Sequence, residues 1–157
     1  MHRKGLVAAL GVVLVLLAAC GKSSSTKTAA GFGSPGNASK ADKTVEVHIL
    51  SSLMYNPSAV SVKPGETVVF KVSNDTTGIH EFVLGDTKVQ DDYEKMMTSM
   101  GTVPMSMADH TNSLNIPPGQ TKQLAWTFPS TSGTTVIFGS HEPGDYAHGL
   151  RGLVTVA

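Results

Sequence analysis

The chain has 157 residues, twelve basic and twelve acidic side chains and a single cysteine. One cysteine excludes an internal disulfide, and the sequence offers no basic face of the kind that nucleic-acid binding requires. Residues 44–157 suffice for one domain with a hydrophobic core. They carry six basic against eleven acidic side chains, a balance that fits a soluble extracytoplasmic domain.

The N-terminus has the pattern of an export signal. A basic start, Met1–Lys4, precedes the apolar run Gly5–Ala19, which is shorter than the roughly 20 residues of a membrane-spanning helix but suits a signal-peptide core. The run ends Leu-Ala-Ala-Cys, similar to a bacterial lipobox. We therefore expect a signal peptide at 1–19 and a lipid on Cys20 that anchors the protein to the bacterial cell membrane, in the periplasm or at the cell surface. The alternative is an ordinary secretory signal with a chance cysteine.

Residues 20–43 are predicted to form the lipidated cysteine and a flexible tether. They are rich in Ser, Lys, Ala, Thr and Gly, and Phe32 is their one large apolar residue. Such a composition buries too little surface to fold. The folded domain is then expected at 44–157.

The domain consists of short strand-like runs separated by turn residues, a pattern that predicts an all-β sandwich. Turn signals such as Lys63-Pro64-Gly65 and Pro117-Pro118-Gly119 separate them. The predicted strands are 45–49, 59–62, 67–72, 79–84, 113–116, 122–128, 134–138 and 152–156.

One stretch breaks the strand pattern. Residues 91–100 have helical periodicity, with Tyr93, Met96, Met97 and Met100 on one predicted buried face. Gly101 suits the end of that helix. A loop containing Met105, Met107 and His110 follows.

The last loop carries the most specific pattern. Residues 140–152 read SHEPGDYAHGLRG, which resembles the final loop of the plastocyanin/azurin (cupredoxin) family, Cys-x-x-Pro-Gly-His-x-x-x-Gly-Met-x-Gly. Ser140, Asp145 and Leu150 stand where that family has its copper-binding Cys, His and Met. Asn74 followed by His80-Glu81-Phe82 resembles the family's Asn…His-x-Phe, whose histidine is the first copper ligand.

The resemblance extends over nearly all of residues 44–157 and implies a cupredoxin-like Greek-key β-sandwich with one short helix in a Met-rich insertion. It also implies that only His80 is retained as a ligand. A blue copper centre needs a thiolate, which Ser140 does not supply. The family's electron transfer is therefore the least supported function.

Two interpretations of the histidines remain open. In the first, His80 and Asp145, with His141 and His148, form a remodelled site for Cu(II), with Zn(II) as a competitor. His141 follows the lost cysteine, so its side chain is expected to point away from that site, and His148 lies near the rim. In the second, His80 makes a hydrogen bond or ion pair with Asp145 and no metal is bound.

The methionines suggest a separate Cu(I) site, because thioethers select Cu(I). Met105, Met107 and His110 are the candidate ligands, whereas helical spacing favours packing for Met96, Met97 and Met100. No catalytic motif is present, so we expect a protein that is not an enzyme. The sequence predicts copper-related metal binding at the cell envelope; the alternative is a metal-free binding or structural surface domain.

Overall fold

The computed structural model describes residues 31–102 and 108–157. Within these residues, ten strands form two five-stranded sheets, so the predicted sandwich is confirmed. The strands are β1 (Ser34–Pro35), β2 (Lys43–Leu50), β3 (Met54–Asn56), β4 (Ala59–Val62), β5 (Thr67–Asn74), β6 (His80–Gly85), β7 (Ser113–Ile116), β8 (Thr121–Thr127), β9 (Thr135–Gly139) and β10 (Arg151–Val156). The helices are α1 (Thr87–Met100), α2 (Asp145–His148) and a short 3-10 turn, Ala38–Lys40.

The two sheets have the orders β1-β8-β5-β2-β3 and β4-β10-β9-β6-β7. Most neighbours are antiparallel, but β2 runs parallel to β5 and β4 runs parallel to β10. Alternating side chains on β2, β8 and β10 point inward because successive strand residues face opposite sides of a sheet. Strand β6 lies in the second sheet between β7 and β9 and is buried along its whole length.

Aromatic rings fill the centre of the sandwich. Phe82 stacks on Phe138 with ring centroids 5.0 Å apart, Tyr55 meets both rings edge-on, and Phe70 packs against Phe82. The Tyr55 hydroxyl donates to the carbonyl oxygen of Glu81, which ties the core to β6. The core therefore supports β6, the strand that carries His80, from behind.

The folded chain begins earlier than residue 44. Phe32 is buried and its ring stacks on Trp126 at 5.3 Å, while the indole Nε1–H donates to the carbonyl oxygen of Phe32 at 2.9 Å. Strand β1 then pairs with the edge of β8. The prediction of a flexible tether up to residue 43 is wrong for residues 32–43, because a single aromatic side chain and backbone pairing hold this segment to the sheet.

Helix α1 is longer than predicted, and its buried face is different. It begins at Thr87, where the Asp86 side chain accepts from the backbone N–H of Val89 at 2.9 Å and caps the first turn. Gln90 and Met97 are buried, whereas Met96 and Met100 are 37% and 44% exposed. The apolar pattern predicted the wrong buried face because the polar residue Gln90 lies at the centre of the face that is actually buried. Among the described residues no helix has the length and apolar character needed to cross a membrane.

Candidate metal centre

His80 is the first residue of β6, and the turn before it is fixed by Asn74. The Asn74 amide donates to the carbonyl oxygens of Gly78 and Ile116, both at 2.8 Å, and its side-chain oxygen accepts from the N–H of Thr76. This places the His80 ring, in a residue only 6% exposed, at the end of the sandwich beside the 140–150 loop.

His80 and Asp145 are in direct contact, as predicted. The His80 Nδ1 lies 2.6 Å from the Asp145 Oδ2, and the Ser140 hydroxyl donates to the same oxygen at 2.6 Å. The Ser140 oxygen in turn accepts from the backbone N–H of Glu81 at 3.0 Å. All three side chains are buried, so one carboxylate oxygen joins β6 to the loop that follows β9.

This donor set does not fit a blue copper ion. Ser140 offers a hydroxyl in place of a thiolate, and Leu150 is fully buried in the apolar core with no donor atom. The Asp145 Oδ2 lies between the His80 and Ser140 side chains that would otherwise face a metal. Throughout residues 31–102 and 108–157, no group of three His, Cys, Asp or Glu side chains is arranged to hold one metal ion.

His141 points away from His80, as expected from its place after Ser140, and is not joined to the pair. Its Nδ1 lies 2.6 Å from the Glu94 carboxylate and its Nε2 lies 2.7 Å from the Gln90 side-chain oxygen, so the ring docks on helix α1. Tyr146 stacks on the other side with centroids 4.5 Å apart. Burial lowers the pKa of His141, while the Glu94 carboxylate opposes that shift.

His148 lies at the end of α2, on the exposed rim of the loop. Its Nδ1 is 2.5 Å from the carbonyl oxygen of Gly144 and donates to it. The structure therefore brings together only two of the four predicted ligands, His80 and Asp145. Metal binding by those residues stays a prediction.

The second predicted site falls mostly outside the described residues, because Met105 and Met107 lie there. His110 is described and exposed. It lines an open cavity of about 600 Å³ together with Met96 and Tyr93.

Glu81 is a buried carboxyl group that the sequence analysis missed. Its two oxygens accept from the Tyr93 hydroxyl at 2.8 Å and from the backbone N–H of His141 at 3.1 Å. Burial raises the pKa of Glu81 from 4.5 to about 7. The sequence feature that could have revealed this buried carboxyl group is a charged residue between His80 and Phe82 in a strand that is otherwise mostly apolar.

Glu81 gives the stability of the protein a pH dependence. Because its folded-state pKa is raised, its contribution is fully present below about pH 4.5 and is lost as the pH rises through about 7. The shift corresponds to about 3 kcal/mol of unfolding free energy. Urea unfolding across this range should show the loss in the wild type and a flatter profile in Glu81→Gln. The exposed Glu46→Gln serves as the control; equal profiles for Glu81→Gln and the wild type would contradict this account.

Comparison with known proteins gives one consistent group of relatives. The sequence is 33% identical over 180 aligned positions to the copper-resistant cuproprotein CopI of Pseudomonas aeruginosa, covering 98% of this chain and 97% of that protein. It is 32% identical over 125 positions to CopI of Rubrivivax gelatinosus, covering 80% of this chain and 73% of the relative. No protein-family model matches the sequence.

The solved structures point to the same fold. Auracyanin from Roseiflexus castenholzii aligns with a TM-score of 0.60 and 26% identity over 74% of this chain and 98% of its own. An azurin from Methylomonas sp. strain J aligns with a TM-score of 0.54 and 16% identity, over 74% of this chain and 99% of its own, and so shows the fold alone.

Proposed function

The chain belongs to the family of the copper-resistant cuproprotein CopI, and on that basis we propose that it binds copper outside the cytoplasm as part of copper tolerance, without forming a blue copper centre. The observation that carries the proposal is the match to CopI over almost the full length of both chains. The Ser140–Asp145–His80 cluster supports the absence of a blue copper centre, because this cluster has no thiolate and its side chains are already hydrogen-bonded to one another.

Electron transfer is the weaker proposal for this chain. A type 1 site owes its redox behaviour to a Cu–thiolate bond, and the single cysteine of the sequence, Cys20, lies at the end of the predicted signal peptide. The position of the family's cysteine is taken by Ser140, whose hydroxyl is engaged with Asp145. Copper binding without a defined redox step fits these residues better.

The proposed location is the outer face of a bacterial cell membrane, with a lipid on Cys20. The support is the lipobox-like sequence that ends at Cys20. Eleven residues separate this cysteine from Phe32, where the described fold begins to pack. Incorporation of labelled fatty acid should be seen in the wild type and be absent in Cys20→Ser. Labelling that persists in Cys20→Ser would contradict the anchor.

Absorption spectroscopy tests the nature of the copper. We expect the Cu(II)-loaded protein to show no intense band at about 600 nm, because that band requires a Cu–thiolate bond. Metal analysis of the same samples after loading with Cu(II), Cu(I) or Zn(II) should find copper retained through gel filtration. A blue protein would contradict the absence of a type 1 centre, and failure to retain copper in either oxidation state would contradict the proposed function.

The second candidate function is a metal-free binding or structural domain. One observation favours it: His80, Asp145 and Ser140 satisfy one another in a buried cluster without a metal. The metal analysis separates the two candidates, since a metal-free domain would release copper and zinc alike.

A further inference from the structure

A second cluster of donor atoms lies on the other side of the 140–150 loop, away from His80. A cavity of about 140 Å³ separates helix α1 from this loop, and Glu94, Met97, His141 and Gly144 are among the residues that line it. It offers a carboxylate, a thioether and an imidazole. These are three different metal-binding groups around a space that is partly open to solvent.

Two of the donors come from one face of α1. Gln90, Glu94 and Met97 follow one another at i, i+4 and i+7, so their side chains lie in one row along the helix. Met97 is only 4% exposed, whereas the Glu94 side chain is 39% exposed. The thioether is therefore held in the protein interior, and the carboxylate gives the cavity an edge that solvent reaches.

The His141 ring is already oriented by a hydrogen bond at its far nitrogen. The Gln90 amide nitrogen donates to the carbonyl oxygens of Val83 and Ile137, at 2.9 and 3.1 Å, so the Gln90 oxygen is the atom that faces His141 Nε2 at 2.7 Å. The Nε2 must then carry a proton. Metal-binding histidines characteristically donate their second N–H in this way, which fixes the ring and the tautomer.

The near nitrogen, Nδ1, faces the Glu94 carboxylate at 2.6 Å. Two lone pairs at that distance would repel each other, so a proton lies between them in the metal-free protein. A metal ion bound to both groups would displace this proton to solvent. Tyr146, stacked on the ring, keeps His141 from turning away.

We propose that this cavity is a copper site in which His141 Nδ1, the Glu94 carboxylate and the Met97 sulfur hold Cu(I) in place of the shared proton. The combination of imidazole and thioether favours copper over the harder divalent ions. This inference rests on the proposed copper-binding function and gives it a location that the family's own ligand positions do not provide.

Competition for Cu(I) against a chelator, with the full-length protein, tests the site. Met97→Leu keeps the buried volume, and Glu94→Gln keeps a partner for His141 while removing the anionic ligand. Each variant should weaken Cu(I) binding more than about tenfold, since even partners of a ligand change metal affinity by about 10–100-fold. Met100→Leu is the matched control, because this exposed methionine lies on the same helix and lines neither this cavity nor the one that contains His110. Cu(I) binding in weak buffer should also release one proton in the wild type.

The outcomes separate this site from the wider proposal. If the wild type binds Cu(I) and Met97→Leu and Glu94→Gln bind it equally well, the site is wrong and the proposed function stands. The site is also wrong if Met100→Leu loses as much affinity as Met97→Leu. If the wild type binds neither Cu(I) nor Cu(II), both the proposed function and this site are overturned.

Discussion

Asp145→Ala should lower the unfolding free energy by about 3–5 kcal/mol, the cost of removing one partner from a buried charged contact. The Asp145 carboxylate is the shared partner of His80 and Ser140, each 2.6 Å from the same oxygen. Without it, the His80 Nδ1 and the hydrogen of the Ser140 hydroxyl lose their shared partner while both side chains stay buried. Denaturant unfolding in the presence of a chelator measures the loss with no contribution from metal.

The exposed pair His48–Asp75 provides a matched control for this prediction. Its Nδ1 and Oδ2 are 2.7 Å apart, but the two side chains are 44% and 49% exposed. Asp75→Ala should therefore cost less than about 1 kcal/mol. Similar losses of unfolding free energy in the two variants would contradict the view that burial makes the Asp145 contact important for stability.

Phe32→Ala should destabilise the protein by about 4 kcal/mol, within the usual range for a buried aromatic residue. Phe32 is 7% exposed and its ring lies against Trp126. Removing it also frees the segment that carries β1. Thermal unfolding measures the loss of stability, and the fluorescence of Trp126 in the folded protein should change because its ring loses a stacking partner.

Phe32→Leu is the control for that change. It keeps an apolar side chain against the indole and loses the ring stacking, which is worth about 0.5–1.5 kcal/mol. If Phe32→Ala were as stable as the wild type, residues 32–43 would be a tether after all, and the domain would begin near residue 44 as its composition first indicated.

The resemblance to the cupredoxin family predicted the contact between His80 and Asp145, which lie 65 positions apart in the sequence. That prediction succeeded because two ligand positions of one family site must lie together in space. Spacing within the loop also predicted that His141 turns away, since it follows Ser140. The loop sequence did not predict the hydrogen-bond partners of His141. These partners, Gln90 and Glu94, lie on helix α1, and the face of α1 that packs on the loop depends on tertiary contacts.

Local periodicity failed where a polar residue is buried or an apolar residue is isolated. Gln90 would be assigned to the surface from its polarity. Its side-chain amide nitrogen instead donates to two strand carbonyl oxygens, and this places Gln90 on the buried face of α1. Phe32 stands alone in a polar segment, and its stacking on Trp126 together with the pairing of β1 with β8 fixes that segment. Neither effect is visible in a window of neighbouring residues, because both depend on groups far away in sequence.

Among the described residues, the two buried histidines, His80 on β6 and His141 in the last loop, have different environments. His80 is bonded to Asp145 in a closed cluster, whereas His141 faces Glu94 at the edge of a cavity that also contains Met97. In the proposed site, copper entering from solvent would reach His141 and leave the hydrogen bonds of the His80 cluster intact. This cavity is therefore the place that we propose for copper in a chain where Ser140 replaces the family's thiolate.

The most direct test is a Cu(I) titration of the full-length protein followed by proton–nitrogen NMR correlation spectra of the histidine side chains. Cu(I) is diamagnetic, so each ring nitrogen stays observable. We expect the Nδ1 signal of His141 to shift as copper is added while both His80 nitrogens stay unchanged, because Asp145 already occupies its Nδ1. A shift of the His80 Nδ1 with no change at His141 would contradict this account and place the copper at the family's original position.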